Sequence, residues 1–184
     1  NLLLTISNSG NPDLFKMSLD GKSLDRVTNG PRGAMNVEPS VSPDSSKIAF
    51  SSDRNGRPHI FVMNVDGSNV RQITIAGEYN SSPRWSPDGQ RLVFAGFDKS
   101  HFDIFTVNAD GSDMVRLTSA KKQNGKMADN EDPSYSPDGR HVLYISNRTG
   151  ANQLYISTID GEVERRITFD NSSYFKPHWS PAFD

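Results

Sequence analysis

Apolar residues in this chain come in short runs broken by polar positions, such as Lys47-Ile48-Ala49-Phe50-Ser51-Ser52 and His141-Val142-Leu143-Tyr144-Ile145-Ser146. Gly, Pro, Asn and Asp bound each run, which is the pattern of short strands joined by tight turns. Second strands are predicted at Lys47 to Ser52, Arg91 to Ala95 and His141 to Ser146, with alternating positions as expected of half-buried strands. Third strands follow at Ile60 to Val65, Ile104 to Val107 and Leu154 to Ile159, each opening on an aliphatic-aromatic pair. First strands open on a proline or just before one: Glu38 to Ser42, Pro83 to Ser86, Pro133 to Ser136 and Pro177 to Ser180. No stretch has helical periodicity.

These segments recur as one phrase. The Asp-Gly pairs at Asp20, Asp66, Asp110 and Asp160 are each followed eight residues later by Thr28, Thr74, Thr118 and Thr168. Ser42, Ser86 and Ser136 each open a Ser-Pro pair and precede the next Asp-Gly aspartate by 24 residues. Only the step from threonine to the following Ser-Pro serine varies, at 14, 12, 18 and 12 residues. A period of 44 to 50 residues with four strands per copy is the size of a propeller blade. The fold class is therefore all-β: a β-propeller of four four-stranded blade repeats within a single region, residues 1–184. The blades cover about 1–28 plus 177–184, 38–74, 82–118 and 132–168. Joined end to end, Ser180 to Asp20 also spans 24 residues, so both chain ends fall in one divided blade. In a closed ring, Trp179 and its neighbours would pair with Leu2 to Ile6. A four-bladed ring, an open arc of a larger propeller and a homo-oligomer sharing an eight-bladed ring all satisfy this count.

Each Ser-Pro is followed by Asp-Ser-Ser or Asp-Gly, and these aspartates read as turn formers, while Asp-Gly between third and fourth strands reads as a tight hairpin. A net charge of −2 offers no source for phosphate neutralisation, so nucleic acid is disfavoured. The absence of cysteine removes disulfides, thiolate nucleophiles and cysteine zinc sites. No apolar run approaches the length of a membrane span. Nucleophile-elbow, H-E-x-x-H, phosphate-loop and EF-hand patterns are missing, so no catalytic residue and no cofactor are assigned. His59, His101, His141 and His178 stand at different places in the repeat and do not converge as ligands. Asp129, Glu131 and Asp132, joined by Glu38, form an acidic cluster that is a weak candidate for calcium and more simply a solvated loop.

Length variation marks the binding face. In a propeller the connections from fourth to first strand and from second to third emerge together, and loops of unequal length on a constant scaffold are where specificity is carried. That face would hold Arg32 to Glu38, Glu78 to Ser82, Lys121 to Asp132 and Asn171 to Lys176, with Arg54, Arg57, Phe97, Lys99, His101 and Arg148. Tyr79, Phe97, Tyr174 and Phe175 are its aromatic anchors, unless they pack between blades.

Ser-Pro-Asp-Gly, the Ile-Ala-Phe-Ser-Ser-Asp-Arg strand, Ile-Phe-Val-Met-Asn-Val-Asp-Gly and Arg-Gln-Ile-Thr together resemble the TolB-type (PD40) propeller repeat, over essentially the whole chain. The ending, Tyr174 to Pro181 and three more residues, is similar to the bare first strand on which that family stops. The resemblance implies a periplasmic, non-enzymatic protein of the Tol-Pal envelope system. Its implied partners are the lipoprotein Pal, TolA and colicin translocation segments, with no membrane insertion. It also implies six blades after an α/β domain, whereas four units are read here. The family's Pal-binding residues just before the first-strand proline map onto Asn36, Val37 and Glu38, and by position onto Tyr79, Asn80 and Ser81 and onto Asn130, Glu131 and Asp132. The alternative reading is a propeller module gating substrate in a carbohydrate lyase or peptidase assembly.

Overall fold

The computed structural model describes residues 1–7, 10–28 and 30–180, and every regular element in them is a β-strand. The first sheet holds β1 (Leu2–Ser7), β2 (Pro12–Met17) and β3 (Leu24–Arg26). The second holds β4 (Asn36–Val41), β5 (Lys47–Ser52), β6 (His59–Asn64) and β7 (Arg71–Gln72). The third holds β8 (Tyr79–Trp85), β9 (Arg91–Asp98), β10 (His101–Asn108) and β11 (Val115–Arg116). The fourth holds β12 (Asn130–Tyr135), β13 (His141–Thr149), β14 (Ala151–Thr158) and β15 (Glu164–Arg166). Each sheet is an antiparallel meander in chain order, as blade repeats require.

The core lies between sheets rather than within one. Leu14 and Val27 of the first sheet pack on Ile48, Phe50, Phe61 and Met63 of the second. Ile60 and Ile73 of the second meet Trp85, Leu92 and Phe94 of the third, and Val93 and Ile104 of the third meet Tyr135, Tyr144 and Tyr155 of the fourth. The middle strands are thus covered on both faces: Ile48 to Ser52 are all buried. This corrects the half-buried reading, because a strand clamped between two blades buries both faces.

Turn chemistry matches the expectation. Ser42 Oγ donates to Asp44 Oδ1 (2.6 Å) and receives Lys47 N–H (2.9 Å), and the same ring recurs at Ser86 with Asp88 and at Ser136 with Asp138. Hydrogen bonds from Ser42 and Ser46 hold the Asp44 carboxyl down at about 2. Gly67, with φ +85°, has a second reason to be glycine: an added Cβ would overlap the carbonyl oxygen of Val27 in the preceding blade. The Asp-Gly turns at Gly67, Gly111 and Gly161 therefore close a hairpin and seat it on the preceding blade.

Two expectations change. The first strands start before their prolines, at Asn36, Tyr79 and Asn130, and the register shifts between Val37 and Ser40, Ser81 and Arg84, and Glu131 and Ser134. The first sheet has three strands, and among the described residues Pro177 to Ser180 do not pair with Leu2 to Ile6. Trp179 instead donates Nε1–H to Ser134 O (3.1 Å), as Trp85 does to Ser40 O (3.0 Å), so the tail docks on the fourth sheet as the opening of a further blade would.

Candidate functional site

Between consecutive blades runs a repeated polar clasp. The threonine closing each unit accepts the N–H that opens the third strand: Leu14, Ile60, Ile104 and Leu154 donate to Thr28, Thr74, Thr118 and Thr168 at 3.1, 3.0, 2.9 and 2.9 Å. In the first three units that hydroxyl also contacts the side chain just before the third strand's first aliphatic residue: Asp13 Oδ1 (2.8 Å), His59 Nδ1 (3.3 Å) and Asp103 Oδ1 (2.7 Å). The first asparagine of the next blade completes it, with Asn36, Asn80 and Asn130 Nδ2 donating to the same three groups at 2.8, 2.9 and 2.8 Å. These asparagines are buried, and their Nδ2 groups hold blades together.

Two of the arginines expected on the binding face, Arg54 and Arg148, are also committed inward. Arg54 donates to Asn36 Oδ1 (2.7 Å) and Ser52 Oγ (3.1 Å), its guanidinium 5.1 and 5.0 Å from the Phe50 and Phe61 ring centres. Arg148 repeats this with Asn130 Oδ1 (3.1 Å), Ser146 Oγ (2.9 Å) and the Tyr155 ring (4.0 Å), and pairs with Glu164. His101 is likewise half-buried, its Nε2 2.8 Å from the Asp103 carboxylate that Arg116 also reaches.

A second group, ranging from buried Ser82 to exposed Lys176, sits where the inner strands begin. Glu38, Ser82, Asp132 and Lys176, each preceding a proline, have φ between +45° and +56°, a left-handed conformation that non-glycine residues seldom adopt. Carboxylates bridge this strained row from blade to blade: Glu38 Oε2 accepts Ser82 N–H (2.7 Å) and Asp132 Oδ2 accepts Lys176 N–H (3.0 Å). Burial and the charges of Asp129, Asp132 and Glu38 push the Glu131 carboxyl up. Arg84, which sequence reading passed over, lies within the field of both Glu38 and Asp132. The calcium candidates do not gather. Asp129 is taken by Asn147 Nδ2 (2.7 Å) and Phe102 N–H (3.2 Å), and among the described residues no three His, Asp or Glu side chains form a metal-holding group.

Beside this row, the charged mouth of the inner strands, is an aromatic patch. Tyr79 stands edge-on to Phe102 (5.9 Å) and Phe97 tilts against the same ring (5.0 Å), with Tyr79 36% exposed. Phe97 and His101 lie in strands β9 and β10, not in the expected loop, because that hairpin stays paired out to Asp98. Val37 is half-buried, Ser81 buried, and Phe175 68% exposed. Tyr174 donates its hydroxyl to Asp170 (2.7 Å), and Gln153, at the clasp position of the fourth unit, donates to Ser172 O (2.6 Å). Phe102 and Arg84 fall at blade positions held by other residue types in the neighbouring units, so only their departure from the repeat could have flagged them.

A family profile, the TolB beta propeller domain, matches residues 1–127 and 80–184. The chain belongs to the TolB β-propeller family. The Tol-Pal system protein TolB of Bordetella pertussis is 37% identical over 161 residues, 88% of this chain and 35% of that protein. Its counterpart from Helicobacter hepaticus is 29% identical over 179 residues, 96% of this chain and 39% of that protein. The structure of a putative TolB from Agrobacterium tumefaciens superposes with a TM-score of 0.83 at 30% identity, covering 97% of this chain and 62% of that one. This chain thus spans little more than a third of the length of these two curated TolB relatives. A peptidase and an oligogalacturonate lyase superpose at 16% and 15% identity, a likeness of fold alone.

Proposed function

We propose that this chain is a protein-docking propeller module of the Tol-Pal type, working in the periplasm without catalysis. It would receive a Pal-like lipoprotein on the face formed by the second-to-third and fourth-to-first strand connections, with TolA-like proteins and colicin translocation segments as further partners. The observation that carries this reading is the Tyr79-Phe97-Phe102 patch, standing beside a charged mouth on an otherwise well-packed scaffold. Tyr79 is exposed and is held by the half-buried rings of Phe97 and Phe102, and such ordered aromatic side chains are the usual anchors of a protein interface. Glu38, Glu131 and Asp132 at the adjacent mouth would steer a partner carrying basic groups.

Calorimetric titration with the soluble domain of a Pal lipoprotein tests the reading. Tyr79→Ala and Val37→Arg are each expected to weaken binding by about tenfold or more while thermal unfolding stays within a few degrees. Unchanged affinity in both variants would remove this face from the function.

A further inference from the structure

The second and fourth blades carry an internal arginine that the third blade lacks. At constant spacing, Arg54 and Arg148 correspond to Asp98, and their anchoring serines Ser52 and Ser146 correspond to Gly96. Phe94 and Phe105 keep the stacked aromatic pair (5.6 Å, 17°) that corresponds to Phe50-Phe61 and Tyr144-Tyr155. Asn80 keeps the amide, and its Nδ2 is used on His59, Thr74 and Ala76 O as the clasp requires. Its Oδ1, whose counterparts in Asn36 and Asn130 accept an arginine, opens onto a cavity of about 280 Å3. Asp98, Gly96, Phe94, Phe105 and Met114 also line that cavity. Among the described residues the Asp98 carboxylate has no ion-pair partner.

We propose that this third-blade cavity is a receptor for the guanidinium group of an arginine side chain supplied by a partner polypeptide. The two neighbouring blades show the ligand's geometry with their own residues: a guanidinium over the third-strand ring, donating to the asparagine Oδ1. In the third blade the same ring and the same oxygen are present, and the arginine has been exchanged for a carboxylate. That exchange turns a self-filled site into one of opposite charge. A guanidinium entering it shares the Phe105 ring with Arg116, whose guanidinium lies 5.9 Å from the ring centre, and gains a hydrogen bond to Asn80 and a charge-assisted contact with Asp98. A lysine ammonium would keep the charge but lose the planar stacking and forked donors that the neighbouring blades use. Phe97 joins the cavity to the aromatic patch, so an arginine from a partner docked there could enter. That the guanidinium comes from a partner rests on the docking reading; that the cavity takes a guanidinium does not.

Acetyl-arginine amide is the probe, titrated into the 15N-labelled chain and compared with acetyl-lysine amide. The expected result is saturable shifts at Gly77, Gly96 and the Asn80 side-chain amide, with the lysine analogue about tenfold weaker. Asp98→Arg, which fills the cavity from within, is expected to abolish the shifts, and Asp98→Asn to weaken binding about tenfold with an unchanged melting temperature. No saturable shifts in the wild-type chain, equal shifts with both probes, or equal binding by a folded Asp98→Arg would each overturn the receptor. Binding of the probe to a chain whose Pal affinity ignores Tyr79→Ala would refute the docking face alone and leave the receptor standing.

Discussion

Replacing Asn130 with alanine separates a structural asparagine from a binding one. Its side chain is fully buried, gives Nδ2–H to Asp103 Oδ1 at 2.8 Å and to Ala128 O at 3.3 Å, and accepts Arg148 at 3.1 Å. Loss of the amide takes one donor from a buried carboxylate and one acceptor from a half-buried guanidinium. A hydrogen bond to a charged group is worth about 1.5–3 kcal/mol, and Asp103 keeps Thr118, His101 and Arg116. A net destabilisation of about 2–4 kcal/mol follows. With a urea slope of about 2 kcal/mol per molar, the midpoint should fall by about 1–2 M. Tryptophan fluorescence is the readout, since Trp85 and Trp179 bridge neighbouring blades. Glu131→Ala, at the next position but half-buried and facing other carboxylates, should leave the midpoint unchanged or raise it. A midpoint for Asn130→Ala within about 0.3 M of the wild type would refute the clasp.

Other consequences follow from single contacts. His59 receives Asn80 Nδ2–H on Nδ1, and burial, with Arg57 nearby, pulls its pKa down. Between the unfolded value of about 6.5 and the lower folded one, the unfolded chain binds the extra proton, so stability should fall as pH drops through that window. His178 shifts in the same direction and is present in the wild type and in a His59 variant alike. His59→Gln, which puts in the residue type of the fourth blade, should therefore flatten the difference in urea midpoint between pH 7.5 and 5.5. An unaltered pH dependence would remove His59 as its source. Gly67→Ala must strain φ +85° and push against Val27 O, and should cost several kcal/mol in denaturation. Gly21→Ala, with φ +70° and open space, should cost only about 1 kcal/mol, and equal losses would contradict the turn-to-blade seating.

The blade was legible because its intervals are fixed by backbone geometry. A serine hydroxyl receives Lys47 N–H and bonds Asp44 at the observed spacing, and a threonine eight residues past Asp-Gly reaches back to the preceding long strand because the Asp-Gly turn folds the two into a hairpin. Burial on both faces of the middle strands was less visible. Ser51 and Ser52 read as polar positions, whereas Ser51 donates to Asn80 O (2.9 Å) in the next blade and Ser52 anchors Arg54. The candidate site was legible in position and not in orientation. Reading identified Tyr79, Glu131 and the pre-proline row, yet gave the same weight to Asn36, Asn130, Arg54 and Arg148, whose partners lie in neighbouring strands. A one-residue bulge at the proline decides which of two adjacent side chains turns inward, and spacing along a chain does not encode it.

The docking face is tested most directly by hydrogen exchange of the chain with and without the soluble domain of a Pal lipoprotein. Slowed exchange is expected across Val37 to Glu38, Glu78 to Ser82 and Phe97 to Phe102, with no change at the Ser-Pro-Asp and Asp-Gly turns of the opposite face. Protection confined to those turns, or absent from the Tyr79-Phe97-Phe102 patch, would contradict it.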